Sequence, residues 1–156
     1  MNYLCYSPAR LSGITFIASF ISSPSLLSKA AALAPTFLID NSFSTKVTLN
    51  FFGFNGEGSD ALINRVYSSL LKTNRRKLKQ RLRNIASISS PTHKLEIAAT
   101  YIRPNKDRLI KEKAITEISR IYVNLKVTNI PGGHFIAQAN PEKVAKMIEN
   151  AMEELL

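Results

Sequence analysis

The chain has 156 residues, of which 45% are hydrophobic, and its formal net charge at pH 7 is +10. This length and apolar content suit one globular domain with a sizeable core, and they exclude a disordered chain. The single cysteine, Cys5, excludes an intramolecular disulfide, and the two histidines argue against a zinc cluster. We therefore predict no metal or other cofactor. No apolar run approaches the ~20 residues of a membrane span, while the positive charge favours acidic partners such as nucleic acid or anionic lipid.

The N-terminal part of the chain allows two interpretations. Arg10, the apolar run Leu11–Ile21 and the small residues that follow imitate a targeting peptide. The same residues fit a buried parallel strand over Ile14–Phe20, followed by a helix over residues 23–34 that a serine caps and a proline opens. We favour the strand and helix, and we expect a cytoplasmic protein. A targeting peptide stays the open alternative.

Residues 37–90 combine aromatic, glycine-rich and basic stretches. Phe37–Phe54 alternates weakly, and Gly53–Gly58 breaks the pattern without the Gly-Lys-Ser/Thr ending of a nucleotide loop. Ser59 or Asp60 then caps an amphipathic helix. A second helix over 74–88 has apolar residues on one face, and we interpret its basic residues as a solvated face. Binding to nucleic acid or acidic lipid is the alternative. The basic residues on this helix and just before it are Lys72, Arg75, Arg76, Lys77, Lys79, Arg81 and Arg83.

Two β-rich runs each end in a turn that carries one ionisable residue. The first run, 97–103, leads to Asp107, and the second, Leu125–Ile130, leads to His134. A helical pattern over Lys111–Tyr122 separates them, which indicates neighbouring parallel strands with their loops at the same sheet edge. Because open α/β sheets carry their chemistry at this edge, we expect Asp107 to hydrogen-bond His134. Such a carboxylate fixes the imidazole tautomer for general-base work.

The two loops resemble the closing part of an α/β-hydrolase. They read Lys106-Asp-Arg-Leu-Ile110 and Gly132-Gly-His-Phe135. In that family the nucleophile, the acid and the histidine follow one another along the chain. On this resemblance, Asp107 matches the family's acid and His134 its histidine. Residues 11–19 are similar to the family's sixth strand.

The resemblance implies an α/β fold, namely a partial α/β-hydrolase fold. It would have about three parallel strands, corresponding to strands six to eight of the family, with flanking helices and a helical cap insertion. Residues 1–21 would form the region of strand six. Residues 22–90 would form a helical lid, and residues 91–156 would carry the acid and histidine loops with the terminal helices.

The sequence departs from the family pattern in one decisive respect, because it contains no Gly-x-Ser-x-Gly. Ala98 and Pro104 also stand where the family usually has a proline and a glycine. The implied chemistry is hydrolysis of an ester or related acyl bond by a Ser-Asp-His triad, acting on a small substrate. The nucleophile and the oxyanion donors would lie before Met1, so we expect the chain to be inactive alone. We also expect it to self-associate through its open sheet edge or to pair with a complementary N-terminal fragment.

The residues themselves leave other interpretations open. Asp107 could pair with Arg108 or cap the helix that follows, and His134 could be a structural histidine. His93 has no acid nearby, so we interpret it as exposed and uninvolved. At the level of the whole chain, the alternatives are a non-catalytic interaction module and a basic nucleic-acid-binding protein. We regard nucleic acid as the weaker of these because no DNA-binding motif is present.

Overall fold

A three-stranded parallel sheet forms the centre of the fold. The computed structural model describes residues 11–23 and 42–154. The strands are β1 (Gly13–Ile17), β2 (Ala98–Pro104) and β3 (Leu125–Ile130), and their spatial order is β1-β2-β3. β2 is therefore central and pairs in parallel with both neighbours. The three predicted parallel strands are confirmed, and the second and third are neighbours as predicted.

β1 ends three residues earlier than the sequence predicts, because the backbone turns at Ala18. Ala18 has a φ of 44°, which an L-residue adopts only when its surroundings hold it there. Its N–H donates to the carbonyl of Ile102 at 3.2 Å. The Tyr101 hydroxyl donates to the Ser19 carbonyl at 2.8 Å and accepts from the Ser19 N–H at 3.0 Å. The central strand thus fixes the point at which the chain leaves the sheet.

Side chains on the two faces of β2 pack into two separate parts of the core, since successive side chains of a strand point to opposite faces. On one face, Ala99 and Tyr101 pack with helix α4 (Glu112–Ile121). On the other face, Ile102 packs with Ile130 and with residues of α5 (Ile136–Ala139) and α6 (Pro141–Glu153). The predicted helix over Lys111–Tyr122 is confirmed as α4, and its buried residues are Ala114, Ile115, Ile118 and Ile121.

The insertion between β1 and β2 is helical over most of its described length. It contains α1 (Ser42–Thr48), a π-helical turn (Leu49–Gly53), α2 (Asp60–Lys72) and α3 (Arg75–Ser87). Ser59 caps α2 by accepting from Leu62 N–H, and Asn74 caps α3 by accepting from Arg76 and Lys77 N–H. Both predicted helices are confirmed, whereas the weakly alternating stretch before them is helical over 42–53. The predicted helix over 23–34 lies outside the described residues except for its first position. Cys5 also lies outside them.

None of the helices formed by the described residues is both long enough and apolar enough to cross a membrane.

Candidate active site

The acid loop follows β2 directly and holds its carboxylate by backbone hydrogen bonds. Asp107 N–H lies 3.4 Å from the Pro104 carbonyl, which closes a tight turn. Asp107 Oδ1 accepts from Leu109 N–H at 2.8 Å and from Ile110 N–H at 2.9 Å. The side chain is only 4% exposed, so two amide donors take the place of water around this oxygen. Asp107 therefore holds the turn over residues 107–110, but it does not cap the helix that follows, which begins at Glu112 after Lys111 and has no side-chain cap.

The histidine loop follows β3 and is bonded to the acid loop. Gly132 has a φ of 137°, a conformation that favours glycine because any Cβ would be strained there. Its N–H donates to the Asn105 side-chain oxygen at 3.3 Å, and its carbonyl accepts from Lys106 N–H at 3.0 Å. These bonds join the ends of two adjacent strands. The two loops therefore form one unit at the carboxyl edge of the sheet.

Asp107 and His134 meet at this edge. Asp107 Oδ2 lies 3.0 Å from His134 Nδ1. One carboxylate oxygen thus accepts hydrogen bonds from the backbone, and the other contacts the imidazole. The His134 side chain is 22% exposed, and Asp107 is its single hydrogen-bond partner within residues 11–23 and 42–154. A proton held on Nδ1 by the carboxylate leaves the lone pair on Nε2. The arrangement can therefore present an unprotonated Nε2 to a reacting hydroxyl.

The glycine-rich segment Gly53–Gly58 packs against the histidine loop, a role that the sequence did not reveal. Phe135 N–H donates to the Gly53 carbonyl at 2.8 Å. A Cβ on Gly133 would lie 2.7 Å from that same carbonyl oxygen and 2.9 Å from Asn55 N. The glycines thus allow two backbones to approach closely beside His134. No local pattern signals this contact, because its partners are far apart along the chain.

The same segment is joined to the acid loop by side chains. Arg108 Nε donates to the Asn55 side-chain oxygen at 2.8 Å, and its guanidinium lies 3.7 Å from the ring centre of Phe51. Arg108 is thus directed at this segment rather than at Asp107. Lys106 forms an ion pair with Glu57, and its hydrogen bond and charge lower the pKa of that carboxyl. The base of the insertion is consequently tied to both loops of the site.

The fold was compared with solved structures. A thermophilic esterase superposes with a TM-score of 0.76 at 11% sequence identity, over 97% of this chain and 60% of that chain. A hydrolase from Pseudomonas aeruginosa PA01 gives a TM-score of 0.68 at 14% identity, over 98% and 58%. The haloalkane dehalogenase DatA from Agrobacterium tumefaciens C58 gives 0.60 at 13% identity, over 99% and 62%. This is a partial α/β-hydrolase fold.

The chain spans about 60% of the length of these α/β-hydrolase structures. No family model matches the sequence, and no curated protein matches it. At such low identities the likeness establishes the fold and leaves the substrate open. Within the α/β-hydrolase fold, Asp107 and His134 stand at the sheet edge where the sequence predicted them.

His93 and Ser22 both stand apart from the pair of Asp107 and His134. His93 is exposed in the stretch before β2. Ser22 is nearly buried, and its hydroxyl donates to a carboxylate oxygen of Glu117 on α4. Within the part of the chain that the structure describes, no three His, Cys, Asp or Glu side chains are grouped as a metal site. A cavity of about 170 Å³ lies between β2, β3 and α6, and neither Asp107 nor His134 lines it.

Proposed function

We propose that this chain supplies the acid and the base of an α/β-hydrolase active site. Asp107 would orient His134, and His134 would act as the general base in hydrolysis of an ester or related acyl bond. The observation that carries the proposal is the 3.0 Å contact between Asp107 Oδ2 and His134 Nδ1 at the carboxyl ends of adjacent parallel strands. The esterase and hydrolase neighbours support the reaction class.

The proposed proton path begins at Nε2 of His134, which has no hydrogen-bond partner in the described part of the chain. Nε2 would take the proton of an attacking hydroxyl, and Asp107 would stabilise the imidazolium that forms. The same nitrogen would then return the proton to the leaving group. The two backbone donors on Oδ1 keep the carboxylate in place, so that the imidazole ring keeps its orientation through both transfers.

Hydrolysis by this mechanism also needs two groups that this sequence does not supply in the way that α/β-hydrolases do. These are a nucleophile on a Gly-x-Ser-x-Gly turn and the donors of an oxyanion hole. We propose that the chain turns over no ester alone and that a complementary N-terminal fragment provides the missing groups, while the open sheet edge also allows self-association. Residues 22–90 would act as the lid over a small acyl substrate, between the region of strand six (1–21) and the acid and histidine loops (91–156). We place the protein in the cytoplasm.

The test is hydrolysis of short-chain p-nitrophenyl esters by the purified chain. Wild type, His134→Ala and the matched control His93→Ala are expected to give the same rate as buffer within a small factor. His93 serves as the control because it is exposed and lies outside the site. Enzyme-like turnover that His134→Ala abolishes and His93→Ala retains would show that this chain contains its own nucleophile. It would thereby contradict the proposed inactivity.

A further inference from the structure

Helix α3 carries a dense positive charge, most of which forms no ion pair with the residues that the structure describes. Six of its 13 residues are Lys or Arg, and no Asp or Glu occurs between positions 61 and 95. Within the described residues, five of these side chains form no ion pair, whereas Arg103, Lys106 and Lys126 each pair with a glutamate. The five side chains are Arg76, Lys77, Lys79, Arg81 and Arg83. This charge is therefore available to an external partner.

The same helix has an apolar stripe between its cations. No residue of α3 is buried, and Leu78, Leu82 and Ile85 lie partly exposed on one side at the spacing of a helical face. Two further apolar side chains flank the helix. Leu71, in the last turn of α2, is 49% exposed, and Ile88, directly after α3, is 39% exposed. Cations beside exposed aliphatic side chains are typical of helices that lie in a membrane interface.

The polar residues of α3 do not favour nucleic acid. Gln80 and Asn84, the amides that could read base edges, are bonded to each other at 2.9 Å. No aromatic residue occurs between Tyr67 and Tyr101, so this part of the chain offers no platform for stacking bases. Anionic lipid needs neither feature, since it is bound through charge and apolar contact.

We propose that α3, together with Leu71 and Ile88, is a surface that binds anionic lipid bilayers. The cations would lie at the lipid headgroups, and the flanking aliphatic side chains would enter the boundary between headgroups and acyl chains. This is peripheral adsorption of the folded protein. The inference is independent of the proposed hydrolase chemistry, because it needs neither Asp107 nor His134.

A fluorescent reporter tests whether the proposed surface meets the bilayer. The chain has no tryptophan, so one introduced residue reports alone. Ile88→Trp is expected to shift its emission to shorter wavelength with vesicles of phosphatidylcholine containing phosphatidylglycerol, and to stay unchanged with phosphatidylcholine alone. The matched control is Val123→Trp, at a position that is 51% exposed just before β3. Its emission should not respond to either vesicle.

Sedimentation with the same vesicles tests whether the cations of α3 contribute to binding. Each cation near an anionic surface contributes about a fivefold increase in binding, so R76Q/K77Q/R81Q/R83Q should bind at least about a hundredfold more weakly. A control variant, K94Q/K111Q/R120Q/K143Q, removes the same net charge from other exposed positions and should keep most of the binding. Binding by wild type should also be lost at ~1 M salt, where charges are screened beyond ~3 Å.

Three results would overturn the proposal. The first is equal loss of binding in the two charge variants, which would reflect net charge rather than α3. The second is an equal response of the two tryptophan reporters. The third is tight binding of wild type to duplex or single-stranded nucleic acid with no binding to anionic vesicles. Circular dichroism of each variant shows whether the fold is retained.

Discussion

Charged groups at the carboxyl edge of the sheet are buried and hydrogen-bonded, whereas those along helix α3 are exposed to solvent. At the sheet edge, the Asp107 side chain is 4% exposed and both of its carboxylate oxygens have partners, two amides on one and an imidazole on the other. Along α3 no residue is buried, and five cations have no ion pair among the described residues. Groups fixed by neighbouring backbone can be positioned for chemistry, whereas solvated charges can only govern association. Substitutions should therefore lower the stability strongly at the sheet and only slightly at α3.

The largest effect is expected in the core below the sheet. Ile118 of α4 is fully buried against Ala99 and Tyr101, so Ile118→Ala should lower the free energy of unfolding by about 2–5 kcal/mol. Leu78→Ala, on the partly exposed stripe of α3, removes the same kind of apolar surface and should cost less than about 1 kcal/mol. Urea denaturation measures both. Equal losses would contradict the contrast between the two regions.

A smaller effect is expected where the insertion meets the histidine loop. Gly133→Ala places a Cβ against backbone atoms of residues 53–55, which cannot rotate away. We expect a loss of about 1–3 kcal/mol and a changed NMR signal of the His134 imidazole.

Gly56→Ala is the control for this substitution. It has a φ of 85° and open space around it, so it should be destabilising through backbone strain alone. An imidazole signal that changes equally in both variants would count against close packing at Gly133 as the cause.

Burial of Tyr101 predicts a pH dependence at the sheet. Burial raises the pKa of this hydroxyl to about 12, against 10.0 for an exposed tyrosine. The unfolded chain therefore loses this proton first, and stability should fall as the pH rises from about 10 towards 12.

Tyr101→Phe should remove this part of the pH dependence. It also removes two hydrogen bonds to the backbone of Ser19, at a cost of about 1 kcal/mol at neutral pH. The measurement is thermal unfolding of both proteins between neutral pH and pH 12. An identical fall in both would be evidence against the tyrosine as its source.

The smallest effect is expected at α3. R76Q/K77Q/R81Q/R83Q should change the free energy of unfolding by no more than about 0.5 kcal/mol, because these exposed side chains have no ion-pair partner among residues 11–23 and 42–154. A loss above about 1 kcal/mol in urea denaturation would show that the cations take part in the fold.

The sequence predicts the parts of this fold that have local signatures. The β-rich run of β3, the helical pattern of α4 and the Ser59 cap of α2 mark their elements, and the structure agrees. The acid and histidine loops were also placed by sequence, since parallel strands on either side of a helix bring their carboxyl ends together.

Other parts depend on contacts between residues distant in sequence. The early end of β1 at Ala18 depends on Tyr101, which bonds the backbone of the next residue. The close approach of Gly53 to Gly133 and Phe135 likewise joins segments that no periodicity connects. For the same reason, the weak alternation before Gly53 did not reveal the helix over 42–53.

The imidazole tautomer of His134 tests the central claim most directly. Nitrogen-15 NMR of the wild-type chain distinguishes a protonated Nδ1 from a protonated Nε2, with His93→Ala used to assign the two histidines. We expect His134 to carry its proton on Nδ1, which faces Asp107, and to have a free lone pair on Nε2. In Asp107→Asn this preference should be reduced or reversed, because the carboxylate that accepts the proton's hydrogen bond is gone. A wild-type His134 protonated mainly on Nε2, or one unaffected by Asp107→Asn, would contradict the account.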